Sequence, residues 1–235
     1  MARPPATSTL RRSFVATVIS SANLYASVES YLPHSYDGFS TNPLHPKQAR
    51  RVVALSFQSM VAAWEDFVQG LFVRYMVGAA SPSGYRPSLR LGTCSSIRHA
   101  VEVLTGQPGF DLTRRYLSWT KWSDVTALAK LHFTGGRPFT SVHEDLIQAL
   151  NDAHVIRNRV AHTSAKARRD FLQVARRFLG LAADARIGQG YDVGTLMIET
   201  TVRGFGKMDR ADNYFLQYCN LYCDLADVLC PSREE

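Results

Sequence analysis

The sequence predicts a mainly α fold, an up-and-down helical bundle with an irregular insertion and room for one small β-hairpin. Three observations carry that reading. From Lys47 to about Val77, the residues Val53, Phe57, Met60, Trp64, Phe67, Leu71 and Tyr75 recur at spacings of three and four, the mark of a long amphipathic helix. Two further stretches, about 141–162 and 165–183, keep the same periodicity. Between these segments, Gly and Pro cluster at Ser81–Pro87 and at Gly135-Gly136-Arg137-Pro138, which break the chain where a bundle needs loops.

Taken in order, residues 1–12 (MARPPATSTLRR) are basic and Pro-rich and read as a disordered tail. A first helix is expected from Ser13 to about Leu32, ended by Pro33. His34–Pro46, with Gly38 and its prolines, reads as loop before the long helix. Within an insertion at about 82–138, short helices are expected at Ser95–Leu104 and Ser123–Leu131. The next helix starts after Thr140 or Ser141, either of which can cap it, with Glu144 in capping-box register to Ser141. It runs to about His162, and its successor, Ala165–Ala183, turns Phe171, Val174, Ala175, Phe178 and Leu181 inward. The β-branched run Leu196–Val202 is patterned as a strand, and Asp209–Cys230 as a final helix ended by Pro231. Residues 13–235 are therefore read as one domain.

Composition narrows the function classes. The chain has 235 residues, 46% of them hydrophobic and 20% charged, an ordinary globular balance. Lys and Arg number 27 against 20 Asp and Glu, a net charge of +7, which favours polyanionic partners such as nucleic acid. Cys94, Cys219, Cys223 and Cys230 are too few for a disulfide framework. The last three fall on one helical stripe without a fourth ligand, so buried thiols in a reducing cytoplasm explain them better than zinc. No apolar run reaches the ~18 residues of a membrane span, so no membrane partner is expected. Arg11-Arg12 resembles the start of a twin-arginine signal, but Thr17, Ser20, Ser21 and Asn23 interrupt the apolar stretch beyond it, as suits a core helix.

One residue is out of place. On a helix over 142–162 with Leu146 at zero, Val142, Ala149, Leu150, Ala153, Ile156, Val160 and Ala161 fall between about −80° and +60°. Arg157 falls at about +20°, inside that apolar arc, while Asn151, Asn158, Arg159 and His162 lie opposite. A guanidinium cannot shed its charge, so burial demands a partner or an anionic ligand. Glu65, at the edge of the long helix's apolar arc, is the expected carboxylate, with Asp66 pointing to solvent. On residues alone, a buried ion pair that merely fixes packing is preferred to a functional site.

Arg157, Asn158 and His162, on a helix of an all-α chain, resemble the Arg-x4–6-His signature of HEPN domains, here as R-N-x-x-x-H. Trp64-Glu65-Asp66-Phe67 is similar to the early helix of the RiboL-PSP-HEPN branch, where an acidic residue supports the site. The resemblance covers about residues 45–80 and 139–230. It implies a homodimer whose two protomers share a site, each giving Arg157 and His162, with Asn158 and Glu65 in support. It further implies metal-independent RNA cleavage to 2′,3′-cyclic phosphate and 5′-hydroxyl ends, without cofactor, in a toxin or phage-defence role that can involve an antitoxin. The chemistry is coherent, because a ribose 2′-hydroxyl is an internal nucleophile that needs only a proton acceptor, a donor for the leaving oxygen, and positive charge beside the phosphate. Five positions apart, Arg157 and His162 point about 140° away from each other on an ideal helix. Either the helix ends or distorts near Ala161, or Arg157 reaches along it. Ser164 stands where some HEPN toxins carry a modified Tyr, so control of that kind is not implied.

Candidate RNA contacts are Arg159, Lys166, Arg168 and Arg169 on and after this helix, with Arg176 and Arg177 further along the same basic face. In the insertion, Arg114, Arg115, Tyr116, Trp119, Lys121 and Trp122 interleave bases and aromatics, which suits either stacking on single-stranded RNA or fastening the insertion to the bundle; packing is the preferred reading. His99, His132, His143 and His154 show no evident partner in the sequence and are read as surface or satisfied residues. The rival to a nuclease is a non-catalytic module of the same family that binds RNA or a protein. A zinc enzyme has no ligand set behind it.

Overall fold

The computed structural model describes residues 6–32, 44–110, 119 and 121–232. The fold is mainly α, with eight α-helices among the described residues: α1 (Thr7–Glu29), α2 (Pro46–Met76), α3 (Ile97–Thr105), α4 (Trp122–His132), α5 (Glu144–Ala161), α6 (Ala165–Phe178), α7 (Val193–Ile198) and α8 (Tyr214–Leu229). None is long and apolar enough to cross a membrane. The residues fall into two compact units. One comprises Met1–Val15, Ala63–Ile147 and Cys223–Glu235; the other comprises Ala16–Ala62 and Gln148–Tyr222.

In the first unit an aromatic ladder on α2 gathers the insertion. Trp122 stacks on Trp64 with centroids 6.0 Å apart, and Phe72 meets Trp119 at 5.2 Å, Phe133 at 4.9 Å and Phe139 at 4.8 Å. The tryptophans thus fasten the insertion, as the packing alternative holds. The segment around Leu89 is tied to the end of α4 by Arg90 N–H donating to His132 O and Thr134 N–H donating to Ser88 O.

Helix α1 begins six residues before the expected Ser13, so Thr7–Arg12, assigned to a disordered tail, are helical. The reason is tertiary. Thr7 is 1% exposed, and its hydroxyl donates to Ala80 O at 2.6 Å; Arg11 pairs with Asp227 of α8. Gly70 of α2 admits Leu10, whose methyl would lie 3.1 Å from a Cβ at that position.

The second unit packs α1, α2, α5 and α6 around α8. Tyr25 stacks on Phe215 at 5.3 Å, Phe57 meets the edge of Tyr218 at 5.0 Å, and Phe178 meets Tyr214 at 4.6 Å. The fully buried Tyr218 hydroxyl donates to Ala149 O of α5 at 3.1 Å. Cys219 Sγ lies 3.8 Å from Met60 Sδ, the setting of a buried thiol.

Of the segment expected as a strand, Leu196–Ile198 belong to α7, and residues 199–202 follow it without forming a strand. Asp192 caps α7, accepting from Thr195 N–H at 2.8 Å, and Val193, Leu196 and Met197 bury at helical spacing. Among the described residues no strand or hairpin forms; Thr200 makes an isolated antiparallel bridge to Asn213. Two boundaries also shift. Helix α6 stops at Phe178, not Ala183, because Gly180 takes the left-handed conformation and Leu181 N–H turns back to Arg176 O, a Schellman end. Helix α8 starts at Tyr214, where Asn213 accepts from Leu216 N–H at 3.0 Å.

Candidate functional site

Helix α5 carries the predicted site. Neither Thr140 nor Ser141 caps it: both lie in a 3-10 turn, Phe139–Ser141, and Thr140 donates to Gly135 O. His143 precedes the helix instead, with its carbonyl accepting from Leu146 N–H and its Nδ1 3.2 Å from Asp145. The apolar face of α5 then buries Ala149, Leu150, Ala153 and Ile156.

Arg157 is half-buried on this helix, and its Nη1 donates to Asn158 Oδ1 at 3.2 Å. Asn158 Nδ2 in turn lies 2.8 Å from His154 Nε2, one turn back. The helix ends at Ala161, the first of the two alternatives left open for Arg157 and His162. The backbone of His162 is held on both sides: its N–H donates to Asn158 O at 2.9 Å, and its carbonyl accepts from Arg159 Nη1 at 3.0 Å. The residue itself is exposed. Arg157, Asn158 and the backbone of His162 are thus brought together, with His154 added to them. Arg159 serves as a cap on the last turn, where a cation is favoured.

Glu65, 5% exposed on α2, and the solvent-facing Asp66 belong to the first unit, whereas Arg157 belongs to the second. Trp119 is 2% exposed and packed on Phe72, in keeping with the preferred packing reading and against the stacking alternative: a buried ring offers no open face to a base. Lys121 is exposed just before α4. Arg114, Arg115 and Tyr116 lie outside the described residues. At the start of α6, capped by Ser164 accepting from Ala167 N–H, Lys166 pairs with Asp170 at 2.5 Å and Arg169 approaches the same carboxylate at 3.9 Å. Arg168 is exposed and has no ion-pair partner among the described residues.

One buried carboxylate escaped the sequence reading. Asp152 is 4% exposed on α5, receives a hydrogen bond from Gln148 at 2.9 Å, and is paired with Arg177 of α6. Burial pushes its carboxyl above the usual range, while Arg177 and Gln148 pull it back. Arg177, expected on a solvated basic face, is exposed there while its guanidinium also pairs with Asp152, and Arg176 donates to Ala185 O at 2.8 Å. His154, read as a surface or satisfied residue, is satisfied by its bond to Asn158 of the motif. Spacing held a signal for both: Gln148 and Asp152, and His154 and Asn158, are each four apart, so each pair shares a helical face.

Among the described residues no group of three or more His, Cys, Asp or Glu is placed to hold a metal ion. No protein-family model, no curated protein and no solved structure matches this chain.

Proposed function

We propose that this chain is a HEPN-type endoribonuclease that cleaves RNA without a metal and works as a homodimer, in a toxin or phage-defence role in the cytoplasm. The reading rests on one observation, the placing of Arg157: a permanently charged side chain half-buried on α5, held to Asn158, on the turn that leads into the exposed His162. In the reaction proposed, one His162 takes the proton of the ribose 2′-hydroxyl as that oxygen attacks the adjacent phosphorus. The His162 of a second copy returns a proton to the departing 5′ oxygen. Arg157 from each copy forks onto the non-bridging oxygens, where charge grows in the transition state. Arg168, exposed near the start of α6, is a cation available to the flanking phosphates.

The test is wild-type protein against His162→Ala on single-stranded RNA in EDTA, with product ends analysed. Loss of a general acid–base group lowers such rates by about 100-fold or more. Cleavage to 2′,3′-cyclic phosphate ends, lost in the variant, supports the reading. Equal behaviour of the two proteins favours the non-catalytic binding module, and loss of wild-type activity in EDTA favours a metal enzyme. Size-exclusion mass tests the dimer separately.

A further inference from the structure

We propose that His154 is a positioning residue of this site: through an unprotonated Nε2 it fixes the amide of Asn158, and Asn158 fixes the guanidinium of Arg157. The inference rests on the reading of Arg157 as the phosphate-binding group. A guanidinium only donates, so the Asn158 atom 3.2 Å from Arg157 Nη1 is the carbonyl oxygen. The other arm of Asn158 is then the NH2 group, and it lies 2.8 Å from His154 Nε2. An NH2 donates, so Nε2 accepts and carries no proton. The imidazole is therefore neutral, with its proton on Nδ1. A protonated Nε2 would set two donors against each other at 2.8 Å and turn the amide, withdrawing the oxygen that Arg157 uses.

The arrangement follows from helix geometry. His154, at about +80° on α5, and Asn158, at about +120°, share a face one turn apart, and Arg157 at about +20° lies on the near side of both. A single helix thus supplies an orienting base, a relay amide and a cation in one chain of hydrogen bonds. What His154 contributes to catalysis is orientation, and orientation is costly to lose: a misplacement of about 1 Å lowers a rate by on the order of 100-fold.

The test compares His154→Leu, which fills the space without an acceptor, with His154→Gln, whose Oε1 can take the place of Nε2. Long-range proton–nitrogen NMR of the wild type at a pH where the ring is neutral should show Nδ1 protonated and Nε2 without a proton. The Arg157 Nε–H signal should be sharp in the wild type and in His154→Gln, and averaged in His154→Leu. In RNA cleavage, His154→Leu should lose kcat by about 10- to 100-fold with KM within about 2-fold, and His154→Gln should restore it. A wild-type ring protonated on Nε2, or a His154→Gln as slow as His154→Leu, overturns the proposal. Should the wild type cleave no RNA, the nuclease reading fails on its own. The NMR signals then decide the positioning alone: Nε2 without a proton and Arg157 ordered upholds it, and any other result refutes it.

Discussion

Replacing Arg177 with Met keeps the aliphatic stem and removes the charge that faces Asp152. The two partners are unequally placed, with side-chain exposures of 5% for Asp152 and 41% for Arg177. Taking away the guanidinium leaves a buried carboxylate supported by the Gln148 amide at 2.9 Å. Breaking a buried pair in this way costs about 3–5 kcal/mol, and the lower end applies because Gln148 stays and the carboxyl can take up a proton. In a chain of this size, ~3 kcal/mol lowers Tm by roughly 6–12 °C. Asp152→Asn leaves the opposite residue, a guanidinium already two-fifths open to water, and should cost only about 1–2 kcal/mol. The pH dependence separates them further. Burial raises the folded-state carboxyl of Asp152 above its ordinary value of 3.8, so its contribution to stability is full below that value and falls as pH rises through the folded-state value. Removing Arg177 removes a group that opposes the rise, so the loss grows with pH. Thermal melts at about pH 4.5 and about pH 7.5 should show Arg177→Met closest to wild type at the lower pH and clearly below it at the higher. Equal losses for the two variants, or a gap for Arg177→Met that does not move with pH, would refute the reasoning.

Two further perturbations probe the same unit. A Cβ at Gly194 would fall 2.1 Å from Arg50 O and 2.6 Å from its carbonyl carbon, backbone atoms inside α2 that cannot swing aside. Gly194→Ala should therefore lift α7 and cost at least about 1–3 kcal/mol in urea unfolding, and a midpoint equal to wild type would contradict the close contact. The Tyr214 hydroxyl accepts from Val202 N–H at 3.1 Å and Arg203 N–H at 2.9 Å, and donates to Phe178 O at 2.5 Å. Tyr214→Phe should cost about 2 kcal/mol and quicken hydrogen exchange at both amides, whereas unchanged exchange would show that another acceptor holds them.

How far the sequence could be read depended on the range of the interaction that decided each element. Helix α2 was legible because seven apolar residues at helical spacing over a long stretch leave one answer, and all seven are buried. Helix α7 was not, since six residues are too few for periodicity, and the β-branched run beside it imitates a strand. What decided it was the Asp192 cap together with a glycine seated on α2. The capping-box spacing of Ser141 and Glu144 was present but unused, because residues 139–141 are wound into a 3-10 turn. The helix over Thr7–Arg12 depends on Ala80, Gly70 and Asp227, far along the chain, which no local pattern contains. At the candidate site, Arg157 was legible as an anomaly on its own helix. Asp152 sits at about −120°, just outside the apolar arc, and only α6 makes it a buried ion.

Helix α5 therefore carries two polar systems, one on each side of its apolar arc, with Arg157 of the second reaching into the arc itself. Gln148 and Asp152, at about −160° and −120°, fasten it to α6 through Arg177; His154, Asn158 and Arg157, at about +80°, +120° and +20°, are bonded along the helix itself. The first system crosses between helices, so its loss is felt as stability. The two hydrogen bonds of the second run along one helix, which other contacts already hold in place, so their loss bears on where one guanidinium points. Their consequences should separate: Arg177→Met should lower Tm while leaving the His154 ring protonated on Nδ1, and His154→Leu should leave Tm within a few degrees while disordering Arg157. A tautomer change in Arg177→Met would mean that the two flanks are coupled through the body of α5, and that the orientation of Arg157 depends on the α5–α6 contact and not on its own helix.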